Sequence, residues 1–325
     1  MSEPTVAFVL VTYQHEKFAA DAVRGALAQE GPPLDILISD DASPDGTWAA
    51  IEQAVAGYSG PHRLRLNRNS ENMGMNHYNR VLELVDNDII VIAHGDDVAL
   101  PNRARRLVET LQRENVSLVT SDAYVTDAAR ERSGLMVGDA PSGRFRMEKL
   151  LTDGWQRTML GATMAWRRDV FALFGGIDRV VLAAGYDLPL VFRASLLDGA
   201  YYLAEPLLEW RRHDRNLSEQ LLDRGGDKLI ELEGAAAHAV TVLMAMLEDL
   251  AKLREADHNR LDFTKIRTLL MRSMMKHLRN WIRRRNRLFV GGMRATWLDR
   301  ETWLKRRPAD SRRIKARTPD SRGGA

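Results

Sequence analysis

The chain has 325 residues, of which 45% are apolar and 28% are charged, and this composition is that of a globular protein, not a fibrous one. It contains no cysteine, so disulfide bonds and thiolate metal sites are excluded and a reducing compartment is expected. The net charge of +3 is unevenly distributed, because the segment from Arg260 to Ala325 has 20 Lys and Arg against 5 Asp and Glu. We expect the acidic body and this basic end to meet different partners.

Short β-rich runs alternate with helical patterns in the first part of the chain, which is typical of parallel βαβ units. We predict strands at 6–12, 35–39, 63–67 and 89–93. We predict helices at 18–29, 48–56, 76–85 and 103–114, where apolar residues recur at helical spacing. Ligands of such a sheet bind at the carboxyl ends of its strands, so the polar turns after these strands are the first place to look for chemistry.

The pattern is mixed between residues 117 and 218. We predict short strands at 117–120, 162–166 and 201–203 around a helix at 186–197. The segment 133–143 is rich in Gly, Ser and Pro and is predicted to be a mobile loop. Beyond residue 216 the sequence indicates helix to about residue 304, and the tail from 306 is too polar to pack.

Two turns that follow predicted strands carry adjacent aspartates. Asp96 and Asp97 follow the strand at 89–93, and Asp40 and Asp41 follow the second strand. Taken alone, the first pair fits a helix N-cap and the second pair fits a polar turn. Both turns open on the same edge of a parallel sheet, however, and neighbouring carboxylates there suit a cation shared with phosphate oxygens. The sequence therefore predicts a Mg²⁺ or Mn²⁺ site at this edge.

Ordered motifs in both halves of the chain resemble the family 2 glycosyltransferases, which have the GT-A fold. In the first half these motifs are Val11-Thr12-Tyr13, Asp40-Asp41-Ala42-Ser43-Pro44-Asp45-Gly46-Thr47, Asn72-Met73-Gly74 with Asn79, and His94-Gly95-Asp96-Asp97 with Pro101. In the second half they include Gly175-Gly176-Ile177-Asp178, Tyr186-Asp187, Arg193-Ala194 and Arg211-Arg212-His213. The resemblance covers about residues 5–218, and the order of several motifs makes it more specific than any one of them.

This resemblance implies an α/β fold: a GT-A, Rossmann-like, mixed and mainly parallel sheet flanked by helices, with a helical C-terminal extension. It implies a catalytic domain at 1–218, with a donor half at 1–127 and an acceptor half at 128–218. A helical region at 219–304 and a basic tail at 305–325, expected to be disordered, would follow. The implied reaction is an inverting transfer of a sugar from a UDP- or GDP-sugar to a glycan or lipid-linked acceptor, in bacterial cell-surface polysaccharide or glycolipid assembly.

The resemblance also implies roles for individual residues. The expected donor-binding residues are Thr12, Tyr13, Asp40, Asp41, Asn72, Asn79, Asp96 and Arg212, and the expected metal ligands are Asp97, Asp96 and His213. Many family members have an acidic residue where this chain has His94, so two carboxylates remain in place of three and a weaker metal affinity is expected. His213 also fits an ordinary surface loop of mixed charge, and both interpretations stay open.

Asp187 is the expected general base, because an acceptor hydroxyl is a poor nucleophile until its proton is removed. The family uses an acidic residue here, often the Asp of a Glu-Asp pair at the start of a helix, and Tyr186 replaces the Glu in this chain. Without the family context, Asp187 fits a helix cap. Because His94 and Tyr186 both depart from the pattern, a catalytically degenerate protein that binds nucleotide sugars is the alternative.

An amphipathic basic helix is predicted after residue 265. Its apolar stripe is Ile266, Leu269, Leu270, Met274, His277, Leu278, Trp281 and Ile282. Most of its basic residues fall outside that stripe, at Arg267, Arg272, Lys276, Arg279 and Arg283. Such a helix suits an anionic membrane surface, or it packs on the catalytic domain or on a second subunit as a homodimer. We favour packing.

Other classes of nucleotide-binding protein are disfavoured. The first turn, 12–16, has no glycine to let the backbone approach a pyrophosphate, as a dinucleotide oxidoreductase or a sugar nucleotidyltransferase requires. Nucleic acid is not an expected partner, because the chain is acidic before Arg260 and shows no nucleic-acid module. The first residues do not resemble a secretory signal, so we expect a cytoplasmic protein, with the inner face of the membrane as one location.

Overall fold

A computed structural model describes residues 3–153, 156–177, 187–214, 216, 228–258 and 261–298. Several predictions made above fall outside the described residues: the boundary at 218/219, the tail at 305–325 and the position of Tyr186. The remaining predicted elements lie wholly or mainly within them.

Four parallel strands form the first half of the sheet. They are β1 (Val6–Thr12), β2 (Asp35–Asp40), β3 (Arg63–Arg68) and β4 (Ile89–His94). Their order is β3-β2-β1-β4, in a register that aligns Val9 of β1 with Leu37 of β2 and Ile92 of β4. Nearly every residue of β1, β2 and β4 is buried, as apolar runs covered on both faces of a parallel sheet should be. All four predicted strands are confirmed to within one residue at each end.

Helices cover both faces of this sheet. They are α1 (Ala19–Leu27), α2 (Thr47–Val55), α3 (His77–Glu83) and α4 (Arg103–Arg113), and a 3₁₀ turn at Gly74–Asn76 precedes α3. Alternate side chains of β1 belong to two separate cores. Phe8 and Leu10 pack with α1, α2 and α4, whereas Ala7 and Val9 pack with α3 and with helices from later in the chain.

The second half of the chain completes a mixed sheet. Its strands are β5 (Val98–Ala99), β6 (Leu118–Thr126), β7 (Arg132–Leu135), β8 (Gly143–Arg144), β9 (Ala165–Arg167) and β10 (Ala200–Arg211). Its helices are α5 (Met147–Asp153), α6 (Asp169–Ala172) and α7 (Asp187–Leu196). β9 is antiparallel to both β4 and β6, and β10 is parallel to β6. β10 therefore ends at the same edge of the sheet as β4, so late residues of the chain meet the turn after β4.

The segment 133–143 is more ordered than the predicted mobile loop. Part of it forms β7, which pairs antiparallel with β6. Beyond β7, the amides of Val137 and Gly138 each donate to the carboxylate of Asp122 at 3.0 Å. Asp122 is buried in β6, so its side chain supplies the acceptors that a free loop would find in water. The Gly and Ser content of the segment indicated a turn-rich backbone but not this anchor.

Two long helices, α8 (Lys228–Ala256) and α9 (Phe263–Leu298), follow the sheet. α8 packs on α7, and α9 packs on α8 and α5. Ile266, Leu270 and Met274 of the predicted apolar stripe are buried in the same core as Leu250 and Leu253 of α8. Packing within the chain is therefore confirmed for this part of the stripe.

The stripe does not extend to every residue predicted for it. Ile282 is 47% exposed, because it lies on the outward side of α9. No helix in the described part of the chain has the length and apolar character needed to cross a membrane.

Candidate active site

The turn after β1 begins the polar edge of the sheet. The buried hydroxyl of Thr12 donates to Asp40 Oδ1 at 3.0 Å, which ties the ends of β1 and β2 together. Tyr13 follows with a 38% exposed side chain, and Gln14 takes a left-handed backbone conformation with φ of 56°. This turn reverses the chain directly above the neighbouring strands and leaves an aromatic ring on the surface.

Asp40 and Asp41 shape the turn after β2. Asp40 is completely buried and accepts hydrogen bonds from the Ser43 amide at 2.9 Å and from the Ser43 hydroxyl at 2.5 Å. Asp41 Oδ1 accepts from the side chain of Asn69 at 2.7 Å and from the amide of Met73 at 2.9 Å. The two carboxylates thus hold the loops after β2 and β3 against each other, and this gives that part of the sheet edge a defined shape.

The two predicted asparagines have different surroundings. Asn72 is exposed, and its Oδ1 accepts from the amide of Gly74, at the start of the 3₁₀ turn, at 2.7 Å. Asn79 forms a two-way bridge to Ile177, donating to its carbonyl at 2.8 Å and accepting from its amide at 2.9 Å. Asn79 therefore joins α3 to a loop nearly a hundred residues away, and Asn72 lies at the open surface.

The turn after β4 requires a glycine. The amide of Gly95 donates to the carbonyl of Val11 at 2.9 Å, which draws the turn close to the end of β1. A Cβ atom at this position would lie 2.6 Å from His15 Nδ1 and 2.6 Å from Thr12 Cγ2. Since real Cβ atoms do not approach so closely, only glycine lets the turn pack against the first one.

Three polar side chains surround Asp96. His213 Nε2 lies 3.2 Å from Asp96 Oδ2, His15 Nε2 lies 3.8 Å from the same oxygen, and Asn216 Nδ2 lies 3.4 Å from it. His213 and Asn216 follow β10, whereas His15 follows β1. The parallel direction of β1, β4 and β10 brings these turns together, so the predicted meeting of His213 with the acidic turn occurs in the fold.

Asp97 lies deeper than Asp96. Its side chain is 2% exposed against 14% for Asp96, and its Oδ1 accepts from the amide of Arg211 at 2.9 Å. Arg211 is itself buried, with Nη2 3.1 Å from Asp21 and its guanidinium over the ring of Phe18 at 4.7 Å. The end of β10 is thereby attached both to the acidic turn and to α1.

Burial and neighbouring charge separate the acidities of the two adjacent carboxyls. Burial, reinforced by the charge of Asp96, raises the pKa of Asp97 well above its usual range. Burial also acts to raise the pKa of Asp96, but the contacts with His15 and His213 outweigh it and the pKa of Asp96 is lowered. Burial lowers the pKa of His94 to about 4, so this imidazole is neutral at pH 7, the form that can ligate a metal.

The donor set of this turn fits a divalent cation. Ligand atoms of His94, Asp96 and Asp97 all lie within 4.8 Å of one another. Carboxylate oxygens with a neutral imidazole are ligands that Mn²⁺ accepts readily, and Mg²⁺ binds through one or two carboxylates with phosphate oxygens and water. Two adjacent carboxylates, one buried and one partly buried, repel each other when both are charged and are stabilised by a cation between them, so the residues present fit the predicted metal.

Asp187 and Arg212 lie on other elements. Asp187 is half-buried and is the first residue of α7, a helix that packs against β6 and β10. Arg212 is exposed directly after β10, and its amide donates to the carbonyl of Thr126 at 2.8 Å. Arg212 thus lies at the end of a strand that runs to the polar edge, and the acidic cluster itself is formed by the turns after β1, β2 and β4.

Three side chains of the site were not among the expected site residues: His15, Tyr78 and Asn216. His15 contacts Asp96 and packs on the glycine of the acidic turn. Tyr78 of α3 has its hydroxyl 2.8 Å from His94 Nε2. His15 lies in the turn after β1, and the turns after the strands had already been singled out from the sequence as the place to look for chemistry. The sequence therefore contained a signal for His15. Nothing in the local sequence indicated Tyr78, which reaches His94 from a helix across the sheet edge.

The strand order and this polar edge define an α/β protein whose candidate ligand site lies at the carboxyl ends of β1, β2 and β4. The family model described as Glycosyl transferase family 2 matches residues 7–174, which is more than half of the chain. The chain belongs to this family.

Curated relatives are similar to parts of the chain. The Putative glycosyltransferase EpsE of Bacillus subtilis is 29% identical over 141 residues, 43% of this chain and 50% of EpsE. The Succinoglycan biosynthesis protein ExoO of Rhizobium meliloti is 33% identical over 107 residues, 33% of this chain and 29% of ExoO. The chain thus matches half or less of the length of these two relatives.

Solved structures resemble a larger part of the chain. TarS of S. aureus, residues 1–349 in complex with UDP-GlcNAc, has a TM-score of 0.56 at 11% identity and covers 86% of this chain and 80% of that chain. At this identity the likeness concerns the fold alone. The chain has the GT-A fold, as the sequence motifs implied, with two added C-terminal helices.

Proposed function

We propose that the protein transfers a sugar from a UDP- or GDP-sugar to an acceptor hydroxyl, with a divalent cation bound at the acidic turn. The observation that carries this proposal is the convergence of Asp40, Asp96 and Asp97 at one sheet edge, together with the histidines around Asp96. Membership of the glycosyl transferase family supports the reaction class. The experiments below ask which nucleobase and sugar the donor carries and which acceptor is used.

The turns after β1 and β2 would hold the nucleoside. Thr12 and Asp40 are hydrogen-bonded to each other and buried, so they would form the floor of the donor site. Tyr13 exposes a ring at the same turn and would stack on the base, and Asp41 and Asn72 would flank it. The amide of Asn79 is used in binding Ile177, so this residue would act by positioning the loop beside the donor.

Asp96, Asp97 and the imidazole of His94 would hold Mg²⁺ or Mn²⁺, with His213 as a further ligand. A bound cation supplies charge neutralisation for the leaving diphosphate. Arg212, exposed at the end of β10, would hydrogen-bond the same diphosphate. Because Asp96 is the more exposed of the two carboxylates, it would also contact the ribose or phosphate of the donor.

Asp187 would act as the general base of a direct displacement. The acceptor oxygen bonds to the anomeric carbon while its proton passes to the carboxylate of Asp187. The bond from the anomeric carbon to the donor phosphate breaks in the same step, and its electron pair leaves with the nucleoside diphosphate. A single displacement inverts the configuration at that carbon.

The proposed acceptor is a glycan or lipid-linked glycan of a bacterial cell-surface polysaccharide or glycolipid. Partial likeness to ExoO, which is named for succinoglycan biosynthesis, supports a polysaccharide acceptor. The absence of cysteine from the chain supports a reducing, cytoplasmic location.

A thermal-shift screen tests the donor and metal assignments. We expect one or more UDP- or GDP-sugars to raise the melting temperature in the presence of Mn²⁺ or Mg²⁺ and not in its absence. Asp97→Asn should abolish this metal-dependent shift, whereas Asp86→Asn, an exposed carboxylate elsewhere on the surface, should retain it. A full shift in Asp97→Asn would refute the metal assignment.

A turnover assay tests the proposed base. With labelled donor, Asp187→Asn should keep the donor-induced thermal shift and lose transfer or hydrolysis of the sugar. A wild-type protein that binds the donor without turnover, over a panel of acceptors, would favour the alternative of a degenerate nucleotide-sugar-binding protein.

A further inference from the structure

The outward side of α9 carries a row of exposed apolar side chains. Met271, Met275 and Ile282 are 45%, 44% and 47% exposed. Their spacing of four and seven residues places them along one line of the helix, about a quarter to a third of a turn from the buried stripe that contains Leu270 and Met274. The helix is therefore apolar on two sides, and only one of them is covered within the described part of the chain.

The charge of α9 is entirely of one sign. From Phe263 to Leu298 the helix has ten Lys and Arg and no Asp or Glu. Both lysines of the helix face the body of the protein, since Lys265 Nζ lies 2.7 Å from Glu148 and Lys276 Nζ donates to the carbonyl of Thr152 at 2.8 Å. The exposed arginines nearest to the apolar row are Arg267, Arg272, Arg279 and Arg283.

The helical positions of these arginines put them beside the row. Arg272, Arg279 and Arg283 lie along one flank, and Arg267 lies along the other. A narrow apolar line between cationic flanks is the pattern of a helix that lies in a membrane interface.

We propose that the outward face of α9 binds the surface of a membrane that contains anionic phospholipid. The row Met271, Met275 and Ile282 enters the headgroup region, and the flanking arginines bind lipid phosphates. The first 259 residues have 27 basic and 39 acidic side chains, so the body of the protein is repelled by the same surface and stays on its aqueous side. This inference does not depend on the proposed reaction.

Other partners fit this face less well. A symmetric dimer through α9 would place the arginines of two copies against each other, and like charges repel. Nucleic acid would satisfy the arginines but would leave the apolar row without a partner. A membrane surface is the partner that uses both features.

Co-sedimentation with lipid vesicles tests the proposal on the full chain. We expect binding to phosphatidylcholine vesicles that contain phosphatidylglycerol, little binding to phosphatidylcholine alone, and release as the salt concentration rises. Arg272→Glu with Arg279→Glu should weaken binding at least about tenfold, because each reversed charge removes an attraction and adds a repulsion.

A second variant tests the apolar row and has a matched control. Met271→Gln with Met275→Gln should also weaken binding, whereas Met244→Gln, at a 47% exposed methionine on α8, should not. These positions are exposed, so thermal melts of all variants should match the wild type. Equal binding to neutral and anionic vesicles, equal loss in Met244→Gln, or a wild-type dimer that the α9 variants dissociate would each overturn the proposal.

Discussion

Replacing Asp249 by asparagine perturbs an ion pair that joins α8 to α7. Arg193 of α7 donates to the carboxylate of Asp249 through Nε at 2.8 Å and Nη2 at 3.1 Å, and both side chains are 5% exposed. Arg193 also donates to the carbonyl of Gly175 at 2.7 Å and lies near the rings of Phe171 and Phe174. Asparagine keeps the size of the side chain, removes its charge and leaves the guanidinium buried without a counter-ion.

The expected loss follows from the burial of the pair. Removing one partner of a buried ion pair costs about 3–5 kcal/mol of unfolding free energy. Because Arg193 keeps its carbonyl acceptor and its aromatic contacts, we expect a value near the lower end, about 3 kcal/mol. For a protein of 325 residues, whose unfolding entropy is about 2.1 cal/mol/K per residue, that corresponds to a fall of roughly 4–5 °C in melting temperature.

Urea unfolding followed by circular dichroism, together with thermal melts, measures this loss. Glu148→Gln is the control, because Glu148 of α5 pairs with Lys265 of α9 across another helix contact, and both of these side chains are more than half exposed. We expect no change in melting temperature for that control.

A double replacement completes the test. Arg193→Met with Asp249→Leu removes both charges while filling the site, and it should recover most of the stability lost in the single variant. A loss below about 1 kcal/mol for Asp249→Asn, or a double variant less stable than the single one, would refute the reasoning.

Three further predictions concern the candidate site. Gly95→Ala should cost about 1–3 kcal/mol of unfolding free energy and reduce the donor-induced thermal shift, because its methyl group would meet His15 Nδ1 at 2.6 Å; urea titration and the thermal-shift screen measure the two effects. Asn79→Ala should destabilise the protein by about 1–3 kcal/mol in urea unfolding, since it leaves the amide and carbonyl of Ile177 without their partner. The pKa of Asp97 is raised by burial and by the neighbouring carboxylate. The contribution of Asp97 to the free energy of unfolding should therefore fall as the pH rises above about 4. The rise in melting temperature that Mn²⁺ induces should grow as Asp97 loses its proton. Thermal melts over a pH series should show both trends, and Asp97→Asn should flatten them.

The structure and the sequence agree best in the first half of the chain. β1, β2 and β4 are long apolar runs between polar turns, so local composition alone indicated strands, and their ends are correct to one residue. Agreement is weaker in the second half. β10 extends over Ala200–Arg211, although only 201–203 was predicted, because Glu205, Pro206 and Glu209 interrupt its apolar pattern and its pairing with β6 has irregular register there.

The candidate site, too, could be predicted only in part from the sequence. Adjacent aspartates after two strands were sufficient to indicate a cation and a diphosphate at the carboxyl edge, because the direction of parallel strands determines where those turns lie. The setting of Asp96 between His15 and His213 was only partly predictable. The meeting of residues so far apart in the chain depends on β10 running parallel to β4, and that direction is decided by the antiparallel strand between β4 and β6.

The sequence by itself determined the periodicity of the strands, the turns that carry carboxylates, and the charge of the C-terminal helices, because each is a property of neighbouring residues. The tertiary structure decided which residues contact each other. Arg193 pairs with Asp249, which is 56 positions away in the sequence, and Asn79 hydrogen-bonds to Ile177, which is 98 positions away. One side of α9 is buried while another is exposed. Such contacts are set by how the elements pack, and packing depends on the shape and burial of the whole chain.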